Sequence, residues 1–172
     1  MVEDALHRMH QTATIQLDFQ LPQRFRLKYC DENGAYKTPI IIHRAILGSV
    51  ERIMAILTEH TGGKWPFWLS PRQAIIIPIG GSKFINYAEH VCSSLKSGNL
   101  QHCYFVDIDR SSNSLNKMIK TAQLSQYNFI LLVGEKERET KTINVRRDGK
   151  LLGNMTIDEL LKHFNDLSNN CL

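Results

Sequence analysis

Three small groups of residues in this chain could do chemistry. Over residues 13–19, Ala-Thr-Ile-Gln-Leu-Asp-Phe, apolar and polar side chains alternate. As a strand, this segment carries Thr14, Gln16 and Asp18 on one face and Ile15, Leu17 and Phe19 on the other. The first face offers only hydrogen-bonding groups, which suit a polar ligand or an ordinary solvated surface. His43 sits within the apolar run Pro39-Ile-Ile-Ile-His-Arg. An imidazole there is either a hydrogen-bonded strand residue or a metal ligand. Arg52 follows the break Gly48-Ser49 and falls in the first turn of the next helix. Its guanidinium can donate to phosphates, lie over a planar ring, or pair with Glu51 or Glu59 at the surface.

Charge adds a fourth feature. The 172 residues carry a formal net charge of +4. Residues 108–150 hold nine Lys/Arg against five Asp/Glu, so this stretch equals the whole excess. A basic surface of this kind suits phosphate contact, although a plain solvated face has the same composition. Cys30, Cys92, Cys103 and Cys171 show no C-x-x-C spacing and read as reduced thiols. Apolar runs such as 74–79 and 129–133 are far shorter than the roughly 20 residues of a membrane span, so no membrane partner is expected. The acidic start, Met-Val-Glu-Asp-Ala-Leu-His, lacks the apolar core of a signal peptide.

Positioning these groups requires two kinds of structure. Residues 13–19, 25–29 and 38–46 read as strands, with Pro22 ending the first and Asp31-Glu-Asn-Gly34 a turn. Ser49 is a candidate N-cap for a helix whose stripe Val50, Ile53, Met54, Leu57 faces a core, and Gly62-Gly63 stops it. Residues 64–71, Lys-Trp-Pro-Phe-Trp-Leu-Ser-Pro, form an aromatic linker expected to pack between two domains. From about Arg72 onward the periodicity alternates: strand 73–79, helix 82–97 capped by Gly98, strand 102–107, helix 114–125, strands 128–133 and 142–147, a turn at Asp148-Gly149, and strand 151–152. A final helix starts at Thr156 with Glu159 three residues on, the capping-box spacing, and buries Ile157, Leu160, Leu161, Phe164 and Leu167. The order βαβαββα predicts an α/β domain: a mixed sheet with a parallel βαβ portion, an added hairpin and flanking helices.

Four stretches carry a resemblance: His10-Gln-Thr-Ala-Thr-Ile-Gln-Leu-Asp-Phe-Gln-Leu-Pro22, Pro39-Ile-Ile-Ile-His-Arg-Ala-Ile-Leu-Gly-Ser-Val-Glu-Arg52, Trp65-Pro-Phe-Trp-Leu-Ser-Pro71 and Tyr127-Asn-Phe-Ile-Leu-Leu-Val-Gly-Glu-Lys-Glu137. In this order and spacing they resemble threonyl-tRNA synthetase, a class II aminoacyl-tRNA synthetase. The strand, Gly break and helix beginning Ser-x-Glu-Arg look like its motif 3. The resemblance implies the end of a catalytic domain over residues 1–63, an antiparallel partial sheet with the motif 3 helix. The linker at 64–71 and an anticodon-binding domain over 72–172 follow.

The resemblance also implies roles. Arg52 and Gln16 take catalytic positions, with Arg52, Ser49 and Gln11 on ATP and the adenylate, and Thr14 and Gln16 on threonine. His43 matches one of three protein ligands of a zinc that holds the amino group and hydroxyl of threonine; none of the cysteines at 30, 92 or 103 matches another. Such an open zinc can select threonine over its isostere valine through the hydroxyl. Glu137, Arg146 and Lys120 match positions used on the anticodon, where a carboxylate accepts from an exocyclic amine and an arginine donates to a base edge. Thr12 stands where many members have Cys, and Ser112 and Ser114 where bacterial members have larger polar side chains. The implied activity is ATP- and Mg²⁺-dependent threonine–tRNA ligation by a cytoplasmic homodimer; a mitochondrial form would share this end. Motifs 1 and 2 and the editing domain have no counterpart in the chain, so it reads as a C-terminal part not expected to activate threonine alone. The alternative is a non-catalytic RNA-binding module retaining the anticodon-binding domain.

Overall fold

The computed structural model describes residues 1–98 and 103–171. The chain divides into two units, Met1–Gly63 and Lys64–Leu172.

The first unit is built from short antiparallel ribbons. β1 (Val2–Glu3) pairs with β2 (Met9–His10). β3 (Thr14–Asp18) is followed by a five-residue helix, α1 (Gln20–Arg24). β4 (Tyr29–Cys30) pairs with β5 (Tyr36–Lys37), and β6 (Ile41–Ala45) returns to pair with β3. α2 (Val50–Thr61) closes the unit. Its cap is the one expected: the Arg52 amide donates to Ser49 Oγ at 3.3 Å, and Gly62 ends the helix in the left-handed region at φ 60°.

Several local expectations fail here. Pro22 does not end a strand; it lies buried inside α1, and β3 stops at Asp18. The strand expected at 25–29 reduces to Tyr29–Cys30, because α1 and the turn at Arg26 (φ 52°) consume its first residues. The apolar stripes do not face a core. Ile15, Leu17 and Phe19 are 72%, 60% and 55% exposed, and Val50 and Met54 are exposed as well. The reason is layer count. A two-stranded ribbon and one helix bury an apolar face only where another layer covers it, and no such layer stands there among the described residues.

The second unit has the expected α/β order with one addition. β7 (Ala74–Pro78) leads through a 3₁₀ turn at Gly81–Phe84 into α3 (Ile85–Ser97). β8 (Val106–Ile108), α4 (Leu115–Leu124) and β9 (Phe129–Val133) follow. The added element is α5 (Glu135–Thr140), before β10 (Ile143–Arg147), β11 (Lys150–Met155) and α6 (Ile157–Asn169). The start of the second strand expected in this unit, at residue 102, lies outside the described residues. The sheet order is β11-β10-β9-β7-β8, with β7 parallel to both β8 and β9 and β10 antiparallel to its neighbours.

Period-two alternation divides β7 and β9 between two cores. Ala74, Ile76, Phe129, Leu131 and Val133 face α3 and α6; Ile75, Ile77, Ile130 and Leu132 face α4. Phe67 lies in the first core, fully buried, its ring centroid 4.7 Å from Phe164 and 5.5 Å from Phe129. The aromatic segment read as a linker is therefore part of this unit's core. The capping box of α6 is formed: Glu159 N donates to Thr156 Oγ1, and Thr156 N to Glu159 Oε2.

Candidate functional site

Two sets of polar residues emerge, one in each unit. In the first, the β3–β6 register sets Gln16 directly opposite His43, Thr14 opposite Ala45 and Asp18 opposite Ile41. Directly paired residues share a face, so Thr14, Gln16, Asp18 and His43 stand together. Asp18 Oδ2 bonds His43 Nε2 at 2.9 Å. Amide N–H groups of Leu21 and Gln20 donate to Asp18 Oδ1 at 3.0 and 2.9 Å. The Leu21 amide, then His43, holds the Asp18 carboxyl below the usual carboxylate range. An open cavity of about 780 Å³ lies over this face, lined by Gln16, Asp18 and His43 with the Phe19 and Gln20 corner. His43 joins Thr14, Gln16 and Asp18 only through the register between distant strands.

The same unit places the other three expected residues around the break before α2. Gly48 (φ +68°) packs against the carbonyls of Gln11 and Thr12: a Cβ at Gly48 would stand 3.1 Å from Thr12 O and 3.6 Å from Gln11 O. The backbone around Gln11 is thus joined to the start of α2. Ser49 Oγ also donates to Glu51 Oε2 at 2.7 Å, which holds Glu51 below its ordinary value. Glu59 accepts from the Ala5 amide at 3.3 Å. Neither carboxylate pairs with Arg52; among the described residues its exposed guanidinium makes no ion pair or hydrogen bond. It remains available to an anion.

The described residues do not bring together the ligands of the expected zinc site. Among the described residues no three His, Cys, Asp or Glu side chains stand close enough together to hold a metal ion. His43 contributes one imidazole, already bonded to a carboxylate through Nε2. This donor set does not fit a held zinc, which needs at least three protein ligands.

In the second unit, Arg146 lies on β10 opposite Ile130, on the sheet face that also carries α4. Its Nε is buried and has no hydrogen-bond partner. Two residues back on the same face, Asn144 donates to Asn154 Oδ1 at 2.9 Å while its own Oδ1 is buried and unpartnered. Lys120 is exposed on α4, one turn before Gln123. Glu137 lies elsewhere. It belongs to α5, beyond the C-terminal end of β9, with Oε2 3.1 Å from where a Cβ on Gly134 would be. Its charge and the burial of Tyr87 raise that phenol's pKa, burial being the larger cause. Ile130 and the end of β9 at Val133 are three residues apart, roughly 10 Å along the strand. Arg146 and Glu137 therefore do not form one cluster.

Residues 73–167 match the family described as the anticodon binding domain, and residues 1–61 match the class II core domain of the tRNA synthetases for G, H, P, S and T. Curated relatives include threonine–tRNA ligase 1, cytoplasmic, of Homo sapiens (52% identical) and probable threonine–tRNA ligase 1, cytoplasmic, of Dictyostelium discoideum (49%). Each alignment covers 96% of this chain and 23% of the relative. The chain thus spans under a quarter of the length of these relatives. Among solved structures, the RNA binding domain of threonyl-tRNA synthetase from Cryptosporidium parvum is 46% identical with a TM-score of 0.75; the match covers 96% of this chain and 41% of that one.

Proposed function

The chain belongs to the threonyl-tRNA synthetase family, as the end of a class II core followed by an anticodon-binding domain, and from that premise we propose that it serves threonine–tRNA ligation. Its contribution is to hold the anticodon loop of threonine tRNA in the second unit and part of the adenylate site in the first. The cytoplasmic naming of the relatives supports a cytoplasmic protein, and the full-length enzyme is a homodimer in this reading.

The observation that carries the proposal is Arg146. A well-packed α/β unit leaves a guanidinium donor buried without a partner, on the face of a module matched to anticodon binding. A fold rarely leaves such a donor orphaned, because the cost of burying it unpaired is large. The guanidinium lines an open cavity and makes no ion pair or hydrogen bond among the described residues, so a base edge or phosphate can serve as its acceptor. In the first unit, Thr14 and Gln16 offer hydrogen bonds to threonine, Arg52 offers positive charge to ATP with its Mg²⁺, and Ser49 with Gln11 shapes the adenylate pocket. These groups bind and orient; Arg52 stabilises charge where the phosphates react. Zinc enters only with ligands beyond His43, and no step is assigned to it.

The test is binding of the 172-residue chain to a threonine-tRNA anticodon stem-loop, followed by fluorescence anisotropy at fixed salt. The cognate loop should bind more tightly than loops with swapped anticodons. Arg146→Ala should cost about 1–3 kcal/mol and relax discrimination at one base. Equal binding of cognate and swapped loops by the unmodified chain would sink the proposal. A non-catalytic RNA-binding module predicts the same binding; it differs in leaving Arg52 and Gln16 without effect on threonine activation in the full-length protein.

A further inference from the structure

Beside Arg146 the second unit has a small polar cavity of about 240 Å³. Its lining includes Gln123 at the end of α4, Gln126 and Tyr127 in the turn after it, and Asp148 in the β10–β11 turn, with Lys64 also on its wall. We infer that this cavity receives one unstacked RNA base, and that Gln123 and Gln126 determine which base it accepts. The inference rests on the RNA-binding reading above and adds two residues to it.

The lining is chemically suited to a heterocycle. Neither carboxamide side chain makes a hydrogen bond among the described residues, so each keeps a free donor and a free acceptor. The Arg146 side chain lines the same cavity and adds guanidinium donors. A base edge presents donors and acceptors side by side, which amides and a guanidinium can match in pairs. A bare phosphate fits less well, because the Asp148 carboxylate lines the same cavity and would repel it. Lys64 is the group suited to a flanking phosphate.

The surroundings hold the wall in place. Tyr127 Oη donates to Asp107 Oδ2 at 2.7 Å, and the Arg72 guanidinium lies 6.0 Å from the Tyr127 ring centroid. That ring is a fixed apolar surface. Gln126 adopts φ 61°, a left-handed conformation that a glutamine rarely takes. Its amide donates to Gln123 O at 3.1 Å, which ties the two glutamines into one turn. Gly149 (φ +76°) leaves its side of the cavity without a side chain: a Cβ there would lie 3.6 Å from Gln123 Nε2. The turn chemistry on both sides keeps the cavity open and its polar groups unsatisfied.

The experiment compares the unmodified chain with Gln123→Ala, Gln123→Glu and Gln126→Asn. Each is titrated with the cognate anticodon stem-loop, with loops changed at one base, with a scrambled single strand, and with free nucleoside monophosphates. Each variant should lose about tenfold in discrimination at one and the same anticodon position. Affinity for the scrambled strand should stay within twofold, since phosphate contacts are unchanged. Gln123→Glu should alter which base is preferred there, because a carboxylate only accepts; thermal melts confirm that each variant folds. If the unmodified chain discriminates and the variants discriminate equally well, this inference falls while the RNA reading stands. Uniform loss across all sequences also overturns it. Free nucleotides binding as tightly as the loop would mark a mononucleotide site and overturn it too.

Discussion

Gly48 lies against the backbone of Thr12, so closely that a methyl group at Gly48 would stand 3.1 Å from the Thr12 carbonyl oxygen. Its φ of +68° independently disfavours any side chain. Gly48→Ala therefore meets both a steric and a conformational penalty, and should destabilise the start of α2 by about 1 kcal/mol or more. Amide hydrogen exchange is the measurement. Val50 to Ile53 and the Gln11–Thr12 backbone should exchange faster together in the variant. Faster exchange confined to the helix would show that the two segments are not coupled.

The two units differ in how much they bury. In residues 1–63 only Asp4 and Pro22 are buried, whereas the second unit closes two cores on opposite faces of a five-stranded sheet. Asp4 is exceptional: His10 Nε2, Arg8 Nε and the amides of Leu6 and Arg8 all bond it, and its pKa lies far below the ordinary range, with the His10 bond as the largest cause. One satisfied carboxylate does not replace a core. Residues 64–172 alone should unfold in one cooperative transition. Phe164→Ala should cost that unit about 3–5 kcal/mol. Native-state proteolysis of the whole chain should clear 1–63 first; the reverse order would refute this assignment of stability.

Tyr127 makes a pH prediction. Burial, then the hydrogen bond to Asp107, raises its phenol from 10.0 to about 12. The fold thus holds the neutral phenol more tightly than the unfolded chain does. The contribution is fully present below pH 10.0 and is lost as pH rises through about 12. Ultraviolet phenolate titration should show a late-ionising tyrosine that Tyr127→Phe removes. The variant should also lose stability less steeply than the parent over that alkaline interval. If Tyr127→Phe instead removes a phenol that ionises in the ordinary range, the buried setting of Tyr127 does not hold in solution.

How much of this was legible in sequence depends on whether the cause is local. Gly48, the Ser49 cap, the Gly62 stop and the Thr156–Glu159 box act within a few residues, and each was readable. The continuous apolar runs at 74–78 and 129–133 marked strands, whose residues divide between two cores. α5 was missed because Glu135–Thr140 is almost wholly charged or polar and has no apolar stripe to signal a helix. The exposure of Ile15 and Leu17 was unreadable for a different reason: alternation identifies an apolar face but not whether anything covers it. Asp18 reaches His43 across 25 positions of sequence, through a register that no local pattern specifies. Gln123 and Gln126 are unremarkable glutamines until the hairpin turn at Asp148-Gly149 is set beside them.

The last prediction concerns chemistry by the 172 residues alone. Adenylate formation requires ATP held in line with the threonine carboxylate, its phosphate charge neutralised by metal ions and arginines. The first unit supplies Arg52, unpaired and exposed, for part of that clamp. It supplies Thr14, Gln16 and His43 on one open face, with a single imidazole and no set of three metal donors among the described residues. A lone imidazole bonded to Asp18 should not retain zinc in a defined site. Each missing element of positioning or charge stabilisation is worth several kcal/mol, and their losses compound. The isolated chain should therefore give no threonine-dependent ATP–pyrophosphate exchange above a heat-killed control. Within a full-length synthetase that carries this segment, His43→Ala and Arg52→Ala should each abolish most of the exchange. Clear exchange by the 172 residues would mean that the face of β3 and β6 is a more complete catalytic site than its donors indicate.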